Sequence, residues 1–387
     1  MIVKEYQTFL KNELRFTAYL FLLLLVASLQ LLKQAKLEVL AESLPIPIKF
    51  ESRRKKIRRF LRLPNFTIDK IWVPCAKTLL EKMFNPGDRI YLAIDRTSWG
   101  LVNILMVSVI YDHRAWPLYW ITLDKKGSSN LEEQKEVLRK SLEIVKDYLV
   151  VVLGDREFCS PKLGHWIGEQ KVYFCLRQKC DTKIHEGNEV YKELREYGIQ
   201  PGMKVFLNDR QVTKKKGFGS FNVACKWKRS YAGFKTKEPW YILTNFDDLH
   251  GAITAYQKRF SIEEMFRDFK SGGYNLEGSR LAPEYLSTLL IVVAIAYTSA
   301  MLQGRAIKKK GIQEYIARPE TKSNKGRRHS AFYIGQHHYT WLMPSPMCEK
   351  IIEELLQINR RWVKFYRKGK RAMELAMSTL DDSLSPC

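Results

Sequence analysis

Two aspartates in this sequence follow short apolar segments, at places where their carboxylates could bind a metal ion. Asp95 comes directly after the apolar residues 90–94, and Asp155 follows the apolar run 149–153 and Gly154. Apolar runs of this length predict buried strands, and chemistry gathers at strand ends in open α/β sheets. Aspartates on neighbouring strand ends would suit Mg²⁺, which takes one or two carboxylates and keeps water for substrate oxygens. Helix caps and turns also use aspartate, so either residue alone could be structural.

A third candidate carboxylate, Glu263, lies in a polar stripe further along the chain. The stripe consists of Tyr256, Arg259, Glu263 and Lys270, which are separated by three, four and seven residues. If residues 247–270 form one α-helix, these intervals place all four side chains on the same helix face. The opposite face is predicted to be buried, and its apolar side chains are Ile262, Met265, Phe266 and Phe269.

The polar stripe has a second interpretation, which its spacing favours when taken alone. A solvated helix face could carry the same residues, with an Arg259–Glu263 ion pair that contributes only about 0.2–0.5 kcal/mol. A helix break is also compatible with the sequence, because Ser261 and Glu264 could form a capping box. In that case Tyr256 and Arg259 would shift but stay close to each other.

The elements around the two aspartates predict a mixed sheet with helices packed on it. Three strands in a row are followed by a helix, a strand, a short helix and another strand, which is the pattern of an α/β fold. In chain order, these elements cover residues 90–94, 102–111, 117–123, 131–148, 149–153, 161–168 and 171–176.

The chain is expected to contain four regions. Residues 1–84 are predicted to be helical, and residues 85–176 together with 241–305 form the α/β core. Between the two core segments, residues 177–240 alternate short strand candidates with turn and charge clusters, which predicts a strand-rich insertion. Residues 306–387 are predicted to be basic and mainly helical.

The chain is strongly basic along its whole length. It has 65 Lys and Arg residues against 41 Asp and Glu, so its formal net charge is +24. Such an excess favours a polyanionic partner, either a nucleic acid or an anionic membrane. One run is dense enough to favour phosphate contact over a merely solvated helix face. It consists of Arg53, Arg54, Lys55, Lys56, Arg58 and Arg59.

Two apolar runs raise the question of a membrane. Residues 16–32 and 286–302 are each 17 residues long, whereas a spanning helix needs about 20. Both runs contain polar residues and are predicted to be buried core helices, so no stable membrane association is expected. The seven cysteines are scattered, odd in number and without a CxxC pair, which is typical of free thiols in the cytoplasm.

The motifs resemble those of a known family. The order Tyr256-x2-Arg259-x3-Glu263-x6-Lys270 resembles the Tyr-Arg-Glu-Lys signature of a large group of bacterial insertion-sequence transposases. The surroundings of the other two carboxylates also resemble the group, and so does the segment before the signature helix; these are residues 94–97, 153–158 and 240–245. The resemblance covers residues 88–280, and the terminal regions on either side carry no recognisable motif of the group.

The resemblance implies a DDE transposase with an RNase H-like core of the retroviral-integrase type, interrupted by a β-rich insertion. The 108 residues from Asp155 to Glu263 leave room for such an insertion. The family's catalytic and metal-binding trio corresponds to Asp95, Asp155 and Glu263. The trio would hold two Mg²⁺ ions, with Mn²⁺ as the alternative.

DNA contacts also follow from the resemblance. The family's contacts to the transposon end correspond to Tyr256, Arg259 and Lys270, and Trp240 resembles a tryptophan that stacks on a flipped base. A buried strand tryptophan is the alternative for Trp240. Independently of the resemblance, the basic run on residues 53–59 predicts that the helical region 1–84 binds DNA.

The implied function is strand cleavage at transposon ends followed by strand transfer into target DNA. The partners would be double-stranded DNA, as terminal inverted repeats and as target, and a second copy of the chain on that DNA. The expected location is the cytoplasm, in association with the nucleoid. Three alternatives remain: an inactive or domesticated transposase-derived DNA-binding protein, a membrane protein with a basic cytoplasmic domain, and a general nuclease with an RNase H-like core.

Overall fold

The chain forms two compact units in the computed structural model. Unit 1 comprises Met1–Leu79 and Asp268–Cys387, and unit 2 is Leu80–Arg267. Residues 268–305, which the sequence analysis placed with the core, therefore lie in unit 1. The residues that the structure describes are 2–99, 102–187, 190–213, 219–231, 234–235, 238–319, 328–358, 361 and 363–381.

The described residues form helices and strands in the following order. The helices are α1 Lys4–Glu13, α2 Phe16–Leu32, α3 Leu37–Ser43, α4 Phe50–Phe60, α5 Val73–Met83, α6 Leu131–Ile144, α7 Pro161–Glu169, α8 Leu249–Gln257, α9 Phe260–Phe269, α10 Pro283–Lys309, α11 Ala331–Leu342, α12 Ser345–Ile358 and α13 Val363–Asp381. The strands are β1 Arg89–Trp99, β2 Val102–Tyr111, β3 Arg114–Leu123, β4 Leu149–Gly154, β5 Tyr173–Arg177, β6 Lys183–His185, β7 Tyr191–Glu193, β8 Lys204–Gln211, β9 Ser220–Lys226, β10 Ser230–Tyr231, β11 Phe234–Lys235 and β12 Trp240–Thr244. The boundaries between the two units fall inside α5 and inside α9.

Unit 2 is built on an eight-stranded mixed sheet flanked by helices. The strand order is β3-β2-β1-β4-β5-β12-β9-β8. The first three strands form an antiparallel meander, and β4 and β5 run parallel to β1. This arrangement of β1 to β5 is that of an RNase H-like fold, so the predicted fold class is confirmed. Local apolar patterning predicted these strands because each crosses the buried centre of the sheet.

The strands of the insertion extend the same sheet. Strand β12 pairs antiparallel with β5 on one side and with β9 on the other, and β8 pairs with β9. Asn245, just after β12, strengthens this junction: its side chain accepts a hydrogen bond from the Phe174 N–H (2.9 Å) and donates one to the Val172 carbonyl (3.0 Å). The extra strands thereby pair an edge of β5 that would otherwise present unpaired backbone groups. The two remaining strand pairs, β6 with β7 and β10 with β11, form separate two-stranded sheets.

The predicted single helix over residues 247–270 is wrong, because the structure breaks it into α8 and α9. At the break, the Lys258 and Arg259 amides donate to the carbonyls of Ala255 (3.0 Å) and Tyr256 (3.1 Å), three residues back. Such bonds tighten the last turn of α8 and change the angle at which α9 begins. Ser261 lies inside α9, so it does not cap the second helix. The four apolar residues predicted to face the core of this segment are buried.

Unit 1 is helical and is organised around α10. This helix packs against α2, α11 and α13. Polar residues within its apolar sequence make tertiary hydrogen bonds: the Thr298 hydroxyl accepts from the Tyr6 hydroxyl (3.0 Å), and the Ala296 carbonyl accepts from the Gln30 side chain (3.1 Å). Because buried polar groups require partners, these bonds account for polar residues in both apolar runs.

The apolar helices behave as core elements. Within the described part of the chain, α10 is the one helix that is long and apolar enough to cross a membrane, and α2 with α3 would qualify only as a pair bent by 105°. The most apolar window of α10 is 78% buried inside the structure. This burial agrees with the prediction of a core helix.

Two glycines allow α10 and α11 to approach closely. A Cβ atom on Gly335 would overlap the Ala300 carbonyl oxygen and lie 2.6 Å from its carbon, and a Cβ on Gly304 would meet the Ala331 carbonyl in the same way. Both obstacles are backbone atoms, which cannot rotate away as a side chain could. The close approach of these two helices therefore requires glycine at both positions.

Gly335→Ala is expected to lower the free energy of unfolding by about 1–3 kcal/mol or more, because the added methyl group forces the helices apart. Gly369→Ala is the matched control, since no atom lies within 4 Å of a Cβ placed there on α13. It should stabilise the protein by up to about 1 kcal/mol through helix propensity. Guanidinium unfolding monitored by circular dichroism measures both changes, and an equal effect of the two substitutions would contradict the packing role of Gly335.

Candidate active site

Asp95 lies where two neighbouring strands part. Strand β1 pairs in parallel with β4 from Arg89 to Ile94, and Ile94 is opposite Gly154. Beyond that point β1 continues to Trp99 along its other neighbour, β2. Asp95 is therefore inside a strand and not at its end, contrary to the sequence analysis, because the antiparallel partner extends the strand. It is nevertheless the first residue of β1 after pairing with β4 ceases.

Asp155 follows β4 directly and begins a 3₁₀ turn over Arg156–Phe158. Its Oδ1 accepts a hydrogen bond from the Glu157 amide at 2.8 Å, which caps the turn. Gly154 before it is closely packed, since a Cβ there would lie 2.8 Å from the Phe158 Cβ. The two aspartates thus occupy corresponding positions beyond the end of one parallel strand pair.

Arg259 lies between Glu263 and Asp95. Arg259 lies in the break between α8 and α9, and its Nη2 donates to Glu263 Oε1 at 2.6 Å. Its Nη1 lies 4.0 Å from Asp95 Oδ2. The Arg259 side chain is only 5% exposed, whereas that of Glu263 is 51% exposed. The ion pair predicted for a solvated face is present, but its arginine is buried and also faces Asp95.

The three carboxylates are close enough to influence one another. Burial raises the pKa of Asp95 to about 7, and the negative charges of Asp155 and Glu263 add to this effect. The Arg96 amide and the Arg259 guanidinium act in the opposite direction without cancelling it. The charges of Asp155, at the end of β4, and of Glu263, on α9, therefore both act on Asp95 in β1.

The chemistry of this donor set suits a divalent cation of the Mg²⁺ or Mn²⁺ type, because all three side chains offer oxygen. A cation would also offset the charge that raises the pKa of Asp95. Across the described residues, no group of three His, Cys, Asp or Glu side chains is arranged as a metal site. Glu263 in particular is held by Arg259 at 2.6 Å, so it would have to leave that partner in order to bind a metal.

The aromatic residues near this site are packed against each other. Trp240 begins β12 and is half-buried; its ring makes an edge contact with Tyr256 at 5.2 Å between centroids. Tyr256 is fully buried, and burial raises the pKa of its hydroxyl. The Arg259 guanidinium lies 5.7 Å from the Tyr256 ring centre, so Tyr256 and Arg259 stay close across the helix break, as the sequence analysis expected for a broken helix.

Lys270 pairs with a carboxylate just after the end of α9. Helix α9 ends at Phe269, and Lys270 is the first residue after it, in unit 1. Its ammonium pairs with the Glu277 carboxylate at 3.1 Å in the same unit. The prediction of one helix face for all four polar residues is wrong because the helix breaks between Tyr256 on α8 and Glu263 on α9.

The basic run on α4 divides into two groups. Arg53 donates to the carbonyls of Ala41 (2.6 Å) and Ile48 (2.9 Å), and Arg54 pairs with Glu38 at 3.5 Å and Glu51 at 3.2 Å. These two arginines are engaged within unit 1. The other four side chains are exposed and could contact phosphates; they are Lys55, Lys56, Arg58 and Arg59.

The structure adds two arginines that the sequence analysis did not select. Arg177 ends β5, and burial lowers its pKa, with the positive charges of Arg156 and Arg259 contributing. Arg177 donates to Glu238 at 2.9 Å, and Arg156 pairs with the same carboxylate oxygen. In the sequence, Arg177 follows an apolar run as Asp95 and Asp155 do, and that position was the signal available.

The strand order and directions of β1 to β5 define an RNase H-like sheet, with Asp95 and Asp155 just beyond the paired part of β1 and β4. Comparison with known families agrees: residues 89–298, more than half of the chain, match the family described as the transposase DDE domain. The chain belongs to this family, which supports a role in DNA transposition. Asp95, Asp155 and Glu263 all lie inside the matched segment.

Other comparisons add less. No curated protein matches the chain. Among solved structures, the chain is similar to piggyBac transposase in a cryo-EM structure of its synaptic complex with hairpin DNA. The two share 14% sequence identity over 90% of this chain and 78% of the other, with a TM-score of 0.46. A likeness this low adds nothing to the family assignment.

The raised pKa of Asp95 predicts how stability depends on pH. The carboxylate has an ordinary pKa of about 4 in the unfolded chain and about 7 in the folded protein. The folded protein favours the protonated carboxyl of Asp95. The contribution of Asp95 to the free energy of unfolding is therefore greatest below about pH 4 and is lost as the pH rises through about 7. Asp95→Asn removes this titration. Without divalent cations, the melting temperature of the variant should therefore exceed that of the wild type by more at pH 8 than at pH 5.

Thermal melting of both proteins at the two pH values measures this difference. Asp147→Asn removes an exposed carboxylate from the same unit and serves as the control for a general change in charge. If the Asp95→Asn melting temperature differs from that of the wild type by the same amount at pH 5 and pH 8, the carboxyl is not strained by burial and neighbouring charge.

Proposed function

We propose that this chain is a DDE transposase that cuts DNA at the ends of a mobile element and joins those ends to target DNA. The observation that carries the proposal is the match of residues 89–298 to the transposase DDE domain, a segment that contains Asp95, Asp155 and Glu263. In the first step, water would attack a phosphodiester and release a 3′-OH and a 5′-phosphate. In the second, that 3′-OH would attack a target phosphodiester and displace its 3′ oxygen.

Asp95, Asp155 and Glu263 would hold the metal ions, which we propose to be two Mg²⁺ ions, with Mn²⁺ as a substitute. When bound, such ions lower the pKa of the attacking water and stabilise the leaving oxygen. The protein's own contribution is to hold the two aspartates beside each other beyond the parallel strand pair. Glu263 would complete the set after exchanging Arg259 for the cation.

Arg259 is well placed to respond to DNA. In the free protein its guanidinium balances the charges of Glu263 and Asp95. When cations neutralise those carboxylates, the guanidinium would be available to a phosphate of the DNA end, which it can bind through two parallel hydrogen bonds. Arg177 would add positive charge nearby, because the charges of Arg156 and Arg259 both act on it.

Other DNA contacts belong to the same proposal. A flipped base stacked on Trp240 would compete with the Lys228 ammonium, which lies 5.3 Å from the ring centre. Tyr256 would have to leave its buried position, and Lys270 its Glu277 partner, before either could contact a phosphate. The helices of residues 1–84 would bind DNA through the exposed side of α4.

The proposal also covers the transposase group, the DNA substrate and the cellular location. The Tyr-Arg-Glu-Lys spacing favours the bacterial insertion-sequence group, with terminal inverted repeats as substrate and the nucleoid-containing cytoplasm as location. Two copies would act together on paired ends. A domesticated protein that binds DNA without cleaving it is the alternative, and direct assay of cleavage separates the two.

Glu263→Gln is expected to abolish nicking, because it keeps the size of the side chain and removes the charge that a metal requires. Changes to groups that merely support metal ligands cost about 10–100-fold, so loss of a ligand should cost at least as much. The assay uses duplexes from the DNA flanking the coding region, with Mg²⁺, and follows strand nicking on denaturing gels.

Glu264→Gln is the matched control for that assay. Glu264 is the next residue on α9 and pairs with Arg114 (3.2 Å) and Arg267 (2.9 Å), with no role in the proposed trio. Its variant should nick at the wild-type rate. Wild-type nicking by Glu263→Gln would remove Glu263 from the catalytic assignment, and no nicking by the wild-type protein would favour the DNA-binding alternative.

Arg58→Ala combined with Arg59→Ala should weaken duplex binding and reduce its salt dependence. Each phosphate contact contributes about 0.9 to the slope of log affinity against log salt, so the slope should fall by up to about 2. Arg139→Ala with Lys140→Ala removes an equally exposed basic pair on α6 and should leave the slope near its wild-type value. Fluorescence anisotropy across a salt series measures the slopes, and identical slopes for both double variants would exclude a phosphate role for α4.

A further inference from the structure

The two aspartates are each oriented by the backbone of a nearby residue. The Arg96 amide donates to Asp95 Oδ1 at 2.7 Å, and the Glu157 amide donates to Asp155 Oδ1 at 2.8 Å. Each bond uses one carboxylate oxygen and fixes the direction of the other. The positions of Arg96 and Glu157 therefore determine where the two carboxylates point.

Arg96 and Glu157 are also joined to each other through their side chains. Arg96 Nε donates to both carboxylate oxygens of Glu157, at 2.9 and 3.1 Å. The side chains are 23% and 15% exposed, so the pair is largely shielded from solvent and from screening by salt. Its partners are 61 residues apart in sequence, and they connect β1 with the 3₁₀ turn that follows β4.

A third element is attached to the same pair. Glu157 Oε1 accepts from both the amide (2.8 Å) and the hydroxyl (2.7 Å) of Ser129. Arg96 Nη1 donates to the Asn103 side chain at 3.1 Å, and Asn103 in turn donates to the carbonyls of Lys125 (3.0 Å) and Gly127 (2.9 Å). The loop between β3 and α6 is thus fastened to both aspartate-bearing segments.

We infer that Arg96 and Glu157 are positioning residues, which set the separation and orientation of the Asp95 and Asp155 carboxylates. Backbone pairing between β1 and β4 ends at Ile94 and Gly154, one residue before each aspartate. Beyond that point the two segments carry like charges that repel each other. The Arg96–Glu157 pair spans the place where the strand ladder no longer holds them together.

This inference rests on the proposed function only in assuming that the two aspartates bind a cation. Glu157→Gln keeps the side-chain length but removes the charge and one acceptor oxygen from the pair with Arg96. Loss of support behind metal ligands typically weakens metal binding or activity by about 10–100-fold. Glu157→Gln should therefore bind Mn²⁺ less tightly, measured by the electron paramagnetic resonance signal of the free ion. The Mg²⁺ concentration for half-maximal nicking should rise by a similar factor.

The control variant must loosen the same loop without affecting the aspartates. Glu133 accepts from the Asn130 amide at 2.7 Å and pairs with Lys125 at 2.8 Å, so Glu133→Gln weakens the loop and the start of α6. This variant should melt at a lower temperature but keep the wild-type Mn²⁺ affinity. Arg96→Lys, which keeps the charge but loses the two-pronged contact, should fall between the wild type and Glu157→Gln.

The results of these measurements distinguish the positioning role of Arg96 and Glu157 from the proposed transposase function. Reduced Mn²⁺ affinity in Glu157→Gln and Arg96→Lys, with duplex affinity in the absence of metal unchanged, would support the positioning role. Wild-type Mn²⁺ affinity in both, or an equal loss in Glu133→Gln, would overturn it while leaving the transposase proposal intact. A wild-type protein that neither binds Mn²⁺ nor nicks DNA would overturn the proposed function first, and the positioning role with it.

Discussion

The repulsion between carboxylates is the constraint on which the site in unit 2 depends. Burial raises the pKa of Asp95, and the negative charges of Asp155 and Glu263 raise it further. Such a cluster persists only where the rest of the fold compensates for it. Arg259 provides that compensation in the free protein, because its buried guanidinium faces Glu263 and Asp95 together.

The sheet explains why the cluster forms at this place. Strands β1 and β4 are parallel neighbours whose pairing stops just before both aspartates, so the strand ladder places the two residues at corresponding positions beyond its end. The hydrogen bonds of Arg96 and Glu157 continue the connection beyond the ladder. The helix break before α9 then turns Arg259 towards the same point, while the buried apolar side of α9 anchors Glu263 from the other direction.

The charge of the chain is used in two physically different ways. Some arginines are structural: Arg53, Arg54 and Arg96 satisfy carbonyls or carboxylates of their own unit. Others on α4 remain exposed, where a cation interacts with DNA mainly through the release of counterions. The net charge of +24 therefore overstates the number of groups that are free to contact phosphate.

The succession of strands and helices in the core, the two aspartates after apolar runs and the family resemblance could all be read from the sequence, because apolar runs and motif spacing are local properties of a chain. It did not show that the insertion joins the main sheet or that Lys270 lies past its helix, nor which arginines of α4 are engaged. It also missed Arg177 and the link between Arg96 and Glu157. These points required the folded chain, because each depends on the position of a distant partner or on a helix end that local spacing does not reveal.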